Sequence, residues 1–142
     1  SDISIMRAQL PDSRVGEHQR KLQDLLGAYL QRGDTVFASW HRDGHPDHEA
    51  VGLASRDAAR ATGCRLIEIP IWMWHWRTPE HPDIPWQRAR KLTLDADMRA
   101  RKKAALECYR SQLEPDHSTG NPAILPPEVL AHFHRDFEIY FV

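Results

Sequence analysis

The chain has 142 residues, with 19 basic and 20 acidic side chains and a net charge of −1. This length is typical of one domain, and we expect residues 1–142 to form a single domain. The balanced charge disfavours a nucleic-acid-binding function and binding to an anionic membrane surface. The two cysteines are too few for a disulfide framework.

No apolar run in the sequence approaches the roughly 20 residues that span a bilayer. The N-terminal residues also lack the basic and then apolar pattern of a signal peptide. We therefore expect a cytoplasmic protein with no transmembrane segment.

The first half of the chain alternates between helical and extended patterns. Leucines at helical spacing predict a helix over residues 17–33, and the apolar run 34–40 predicts a buried strand. Residues 49–63 predict an alanine-rich helix that ends at Gly63 and packs closely on a sheet. Residues 64–72 alternate and are rich in β-branched side chains, which predicts a second strand.

The second half begins with an aromatic segment, residues 72–86, which holds four of the five tryptophans. We interpret Trp72 as a core residue and leave the other tryptophans open between core and a sugar-binding rim. Further elements follow in order: a long helix over 94–113, a loop over 114–127, a short helix over 127–135 and a final strand over 137–142. The basic side chains at 99–103 indicate a solvated helix face, with a phosphate contact as the lesser alternative.

This order of helices and strands indicates an α/β fold in which helical crossovers join parallel strands. The first twenty residues contain no convincing opening strand. We therefore expect the chain to be the later part of a larger domain.

The sequence HRDGHPDHEAVG, residues 41–52, places three histidines and two aspartates after the first predicted strand. Ligands bind at this edge of open α/β sheets. His45 and His48 could divide their tasks, one binding zinc and the other reaching a substrate, while Asp47 orients an imidazole. Alternatively, Asp47 is only a helix cap and the histidines are surface residues. The rest of the chain offers no clear third ligand.

Within this loop, GHPDHEAVG resembles the second signature of the PIG-L/LmbE-like zinc-dependent N-deacetylases. LPDSRV, EIPIWMWHW, ARKKAALECYRSQL and FHRDFEIYF are similar to other stretches of that family, in the same order. The resemblance implies a Rossmann-like three-layer α/β/α fold with a mostly parallel sheet. The family's first signature, an HPDDE-type loop, has no counterpart here. This implies the C-terminal portion of such a domain, with the missing N-terminal part cleaved, carried on a separate chain or absent.

The resemblance also implies roles for four residues. His48 would bind Zn²⁺, and His45 would protonate the leaving amine or stabilise the tetrahedral oxyanion. Asp47 would hold His45 in position, and Asp12 would contact sugar hydroxyls, although Ser13 follows it where glycine is usual. The implied activity is removal of an acetyl group from an N-acetylated amino sugar of the N-acetylglucosamine type, or from a related glycoconjugate, by zinc-assisted amide hydrolysis.

Two other interpretations compete with this one. The HxHxDH signature of the metallo-β-lactamase fold is disfavoured because its first histidine falls on Asp43. The second is a non-catalytic scaffold fragment or degenerate relative, which would bind a partner or a ligand without turnover.

Overall fold

A computed structural model describes residues 3–78 and 80–142 of the chain. The longest of its helices has 17 residues, and none of the described helices is long and apolar enough to cross a membrane. Two 3₁₀ turns, Val15–His18 and Trp86–Arg88, accompany six α-helices and four strands. The α-helices are α1 Gln19–Tyr29, α2 Pro46–Thr62, α3 Met73–Trp76, α4 Ala96–Glu107, α5 Arg110–Leu113 and α6 Pro127–Phe133, and the strands are β1 Thr35–Ser39, β2 Arg65–Ile69, β3 Ala89–Thr93 and β4 Phe137–Phe141.

The four strands form one mixed sheet in the order β1-β2-β4-β3. Strands β1 and β2 are parallel, in a register that pairs Thr35 with Arg65 and Ser39 with Ile69. Strand β4 pairs with β2 in the antiparallel sense, with Glu68 opposite Phe141. The predicted α/β class is therefore confirmed, but the sheet is mixed where the resemblance implied a mostly parallel one.

The chain divides into two compact units. The first comprises the chain up to Ala89 together with Tyr140–Val142, and the second comprises Arg90–Ile139. The single domain over residues 1–142 stays a prediction.

Helix α2 joins the two parallel strands of the first unit and contacts α1, β1 and β2. Its buried face includes Ala50, Ala54 and Ala58, which are four residues apart and so lie on one side of the helix. Their small side chains allow close packing, as the alanine-rich sequence predicts. The helix ends at Gly63, whose φ of 77° is the left-handed conformation that favours glycine after a helix.

The core of the first unit is built from Trp40, Met73, Ile84 and Phe141, each no more than 3% exposed. Trp72 differs from the sequence interpretation, because its side chain is only half-buried. The fully buried tryptophan is Trp40, which follows directly after β1.

The second unit departs from the sequence prediction at one helix. The predicted helix 94–113 divides into α4 and α5, because the backbone at Tyr109 (φ −87°, ψ 56°) leaves the helical region. A strand that the sequence analysis did not predict, β3, has mostly exposed side chains. It lacks the apolar alternation that identifies a half-buried strand.

Candidate metal and catalytic site

The histidine loop, residues 40–48, connects the carboxyl end of β1 to the first turn of α2. The Ser39 hydroxyl donates a hydrogen bond to the carbonyl of His48 at 2.8 Å, which joins the strand end to the helix start. The loop therefore lies at the edge of the β1–β2 pair where the sequence predicts it.

Asp43 is the most heavily bonded side chain of this loop. Its carboxylate is fully buried and accepts hydrogen bonds from three successive backbone N–H groups, those of Ile71 (2.9 Å), Trp72 (2.7 Å) and Met73 (3.0 Å). A buried carboxylate needs such donors to offset the water that it has lost. Asp43 thus joins the histidine loop to the start of the aromatic segment.

The same carboxylate orients His48. Asp43 Oδ2 lies 2.6 Å from His48 Nδ1, and the His48 side chain remains 27% exposed. Because an ionised carboxylate only accepts hydrogen bonds, we assign the proton to Nδ1, which leaves the lone pair on Nε2. An imidazole that donates one N–H to a carboxylate is the usual arrangement of a metal-binding histidine.

His45 has the opposite hydrogen-bonding pattern. It is the N-cap residue of α2, and its Nδ1 accepts a hydrogen bond from the backbone N–H of Asp47 at 3.3 Å. In the neutral ring the proton is then on Nε2, which can donate it. The rings of His45 and His48 are 4.5 Å apart. Two neighbouring imidazoles are thus arranged so that one presents a lone pair and the other an N–H.

The carboxylate of Asp47 is used elsewhere. Its two oxygens accept hydrogen bonds from the backbone N–H groups of Ser13 (2.6 Å) and Val15 (3.0 Å), and the residue is 9% exposed. From the sequence resemblance, we expected this carboxylate to orient His45. In the structure Asp47 contacts His45 through its backbone N–H instead, and its carboxylate fixes the segment before α1.

Asp12 lies on that segment and is exposed. Ser13, which follows it, has a φ of 62°, in the left-handed region that favours glycine. This conformation gives a physical reason for the glycine that is usual at this place in the resembled family. Through Ser13, Asp47 brings the Asp12 segment to the first turn of α2.

The aromatic segment borders the two imidazoles. The ring of Trp72 lies 5.4 Å from the ring of His45 in an edge-on arrangement and is stacked on His75 at 4.1 Å. Trp76 donates its indole N–H to the carbonyl of Asp43 at 2.8 Å. Gly44 has a φ of 87°, and a Cβ there would lie 2.4 Å from Trp76 Nε1, so a side chain at this position would collide with that indole.

A second buried carboxylate, Glu68 on β2, holds the start of the loop. It is 1% exposed, pairs with His41 Nδ1 and accepts a hydrogen bond from Arg88 at 2.8 Å. Arg56 of α2 contacts the other nitrogen of His41, Nε2, at 3.1 Å. Burial raises the pKa of the Glu68 carboxyl, but the hydrogen bonds from His41 and Arg88 outweigh it, and the pKa lies below its usual value.

Sequence reasoning missed both Asp43 and Glu68 as parts of this site. Asp43 stands five residues before His48 in the same loop, and this proximity was the one signal that could have suggested the contact. Glu68 lies inside an alternating strand 27 residues from His41, and the sequence offers no sign of that pairing.

The donor atoms of the described side chains fit the predicted zinc site only in part. His48 fits a zinc ligand because its Nε2 is left with a lone pair and its Nδ1 is held by a carboxylate. Across residues 3–78 and 80–142, no three or more His, Cys, Asp or Glu side chains are grouped so as to hold a metal ion. A catalytic zinc takes three protein ligands, so His48 would supply one of them.

Comparisons with protein families, with curated proteins and with solved structures gave no match to this chain.

Proposed function

We propose that the chain contributes the second half of the active site of a zinc-dependent N-deacetylase that acts on N-acetylated amino sugars or related glycoconjugates. The observation that carries the proposal is the buried Asp43 carboxylate on His48 Nδ1, with His45 beside it at the start of α2. The sequence resemblance of GHPDHEAVG supplies the reaction type and the substrate class.

In this proposal His48 holds the metal through Nε2, and Asp43 is a positioning residue that fixes the ring. Zinc, when bound, would polarise the acetyl carbonyl and activate a water molecule. The remaining zinc ligands and the general base would come from an HPDDE-type loop outside the 142 residues, on the same protein or on a partner chain.

The hydrogen bond to His45 Nδ1 favours one of its two candidate roles. A general acid needs a doubly protonated ring, and a proton on Nδ1 would oppose the N–H of Asp47. The neutral ring with its proton on Nε2 suits a donor to the tetrahedral oxyanion. We therefore assign His45 to oxyanion stabilisation, and Asp47 supports this role through its backbone.

The proposal includes the finer features of the fold. The parallel β1–α2–β2 unit supports a Rossmann-like three-layer α/β/α arrangement, to which the N-terminal portion of the domain would add further strands. Asp12 is proposed to contact sugar hydroxyls from the segment that Asp47 fixes. A cytoplasmic location remains a prediction of the sequence.

A second candidate is a non-catalytic scaffold that binds a partner or a ligand without turnover. The observation in its favour is that the described residues offer His48 but no grouped set of three metal ligands. The two candidates predict opposite metal contents for the complete protein.

The test is elemental analysis and acetate release with the complete product of the natural gene, supplied with N-acetylglucosamine substrates. We expect about one zinc per chain, lost in His48→Ala. In His45→Ala the zinc should remain while kcat falls by about 10²–10³. His117→Ala, an exposed histidine outside the site, is the matched control and should retain both zinc and activity.

Three results would decide against the proposal. Zinc that persists in His48→Ala would contradict the ligand assignment. Complete protein without zinc or acetate release would favour the scaffold. Robust acetate release from the 142 residues alone would contradict the half-site.

A further inference from the structure

The second unit contains a concave site that the proposed deacetylase does not use. Its volume is about 260 Å³, and one wall is the face of α4 that carries Arg99 and Lys103. The opposite wall is the end of α6 and the turn that follows it, Phe133, His134 and Arg135. Lys102 completes the lining, together with Ala96 and Ala100.

The acidic and basic side chains that line this cavity are all basic. Its lining includes four Arg or Lys side chains and no carboxylate. Lys102 is paired with Glu138 at 2.5 Å, so its charge is locally compensated. Lys103 lies 3.9 Å from Glu107, and both side chains are more than 60% exposed, so solvent screens this pair. The lining of the cavity thus carries basic side chains and no carboxylate, and a concave surface of one sign concentrates counter-ions.

This arrangement of basic residues adds little stability to α4, because the Lys103–Glu107 pair is exposed to solvent. Arg99 and Lys103 are four residues apart, which places two like charges on one helix face, where they repel each other. Basic residues stabilise a helix in its last turn, but α4 has none there and carries its cations in the first two turns. An anion bound between the two side chains would relieve the repulsion.

We propose that this cavity, which we call the α4 cavity, binds a phosphate group through Arg99 and Lys103. Arg and Lys are the residues that proteins use to bind phosphate oxygens. The volume lies just below the ~300 Å³ at which pockets for larger ligands begin, so it suits inorganic phosphate or the phosphate of a small phosphorylated metabolite. This site is independent of the zinc and of the deacetylase proposal.

The test is a titration of the ¹⁵N-labelled chain with inorganic phosphate at constant ionic strength, with chloride as the reference anion. We expect saturable shifts of the amide signals of α4 and of Phe133–Arg135. Arg99→Ala and Lys103→Ala should each weaken phosphate binding about threefold to tenfold, because each removes a charge-assisted hydrogen bond. Arg101→Ala is the matched control, since Arg101 is exposed on the same helix but does not line the cavity, and it should change the affinity by less than about twofold.

Shifts that do not saturate, or an equal loss of binding in Arg101→Ala and Arg99→Ala, would overturn the proposal in favour of diffuse attraction to a basic helix. A second titration with glucose 6-phosphate separates the two sources of the ligand. Tighter binding than inorganic phosphate assigns the site to a phosphorylated metabolite, and equal binding assigns it to phosphate itself. A short DNA duplex that binds α4 without competition from phosphate would also overturn the proposal, because the occupant would then be nucleic acid.

Discussion

The histidine loop and the turn that begins at Asp116 each centre on an aspartate that accepts several hydrogen bonds, but the donors come from different distances along the chain. Asp43 is fully buried and is bonded by groups 5 to 30 residues away. Asp116 is exposed and is bonded by Ser118 and Thr119, two and three residues later. The first aspartate joins separate segments of the fold, whereas the second only shapes its own turn.

This difference predicts how far damage spreads when each carboxylate is removed. Asp43→Ala leaves three backbone N–H groups, of which that of Met73 is buried, and the His48 ring without their acceptor. We expect it to lower the free energy of unfolding by about 3–5 kcal/mol, because each donor left without an acceptor costs about 1–3 kcal/mol. Urea unfolding followed by tryptophan fluorescence measures this loss.

Asp116→Ala is the control for that experiment, because its donors are exposed and can bond to water instead. Its effect on unfolding should be much smaller than that of Asp43→Ala. Equal losses in the free energy of unfolding would contradict the conclusion that Asp43 joins separate segments whereas Asp116 shapes only its own turn.

The two regions also differ in the surroundings of a glycine, Gly44 in the histidine loop and Gly120 in the turn that begins at Asp116. Gly44 and Gly120 both have a positive φ, 87° and 76°, so alanine brings similar backbone strain to each. A Cβ at Gly44 would also meet the indole of Trp76, whereas nothing lies within 4 Å of a Cβ at Gly120. Thermal and urea unfolding should show that Gly44→Ala costs about 2 kcal/mol more than Gly120→Ala. A difference near zero would mean that the histidine loop shifts to accommodate the added methyl group without a loss in the free energy of unfolding.

Glu68 adds a pH dependence to the buried region. Its pKa in the folded protein lies below the ordinary value of 4.5, so the ionised carboxyl stabilises the fold above that value. This contribution is lost as the pH falls through the folded pKa. At pH 7 we expect Glu68→Gln to cost about 1–2 kcal/mol, and the gap to wild type should shrink as the pH falls below 4.5. Urea unfolding across this pH range measures the gap, and one that is constant with pH would refute the assignment.

The smallest effect concerns Asp116, whose hydrogen bonds from Ser118 and Thr119 lower the pKa of its carboxyl from 3.8 to about 2. The stability that they confer is therefore present above pH 3.8 and lost as the pH falls through about 2. NMR titration of the carboxyl carbon should show this low pKa. Ser118→Ala should move it back toward 3.8, and a carboxyl that already titrates near 3.8 in the unchanged chain would contradict the geometry.

The helices and strands that were predicted correctly each have a recognisable pattern within a short stretch of the sequence. Gly63, the leucines of α1 and the β-branched run of β2 each have a pattern within a few residues, and the corresponding elements are confirmed. Strand β3 lacks such a pattern because it is largely exposed. The break at Tyr109 was missed because no glycine or proline marks it.

The sequence predicted where the candidate site lies in the fold but not the contacts within it. The loop sequence suggested roles for His45, Asp47 and His48, which stay predictions, and α2 begins at Pro46, three residues before the predicted helix. Asp43 supplies the carboxylate that orients His48. The backbone N–H groups that also bond to this carboxylate begin at Ile71, 28 residues later in the chain. Such pairings are set by tertiary packing, so no spacing rule could have shown that Asp47 is directed toward Ser13 and Val15.

We infer that the histidine loop holds two neighbouring imidazoles in opposite tautomers, one as a lone-pair ligand and one as a proton donor. Long-range ¹H–¹⁵N NMR of the histidine rings near neutral pH tests it directly, with His45→Ala and His48→Ala used to assign the signals. We expect a proton on Nδ1 of His48 and on Nε2 of His45. The same tautomer in both rings would contradict it.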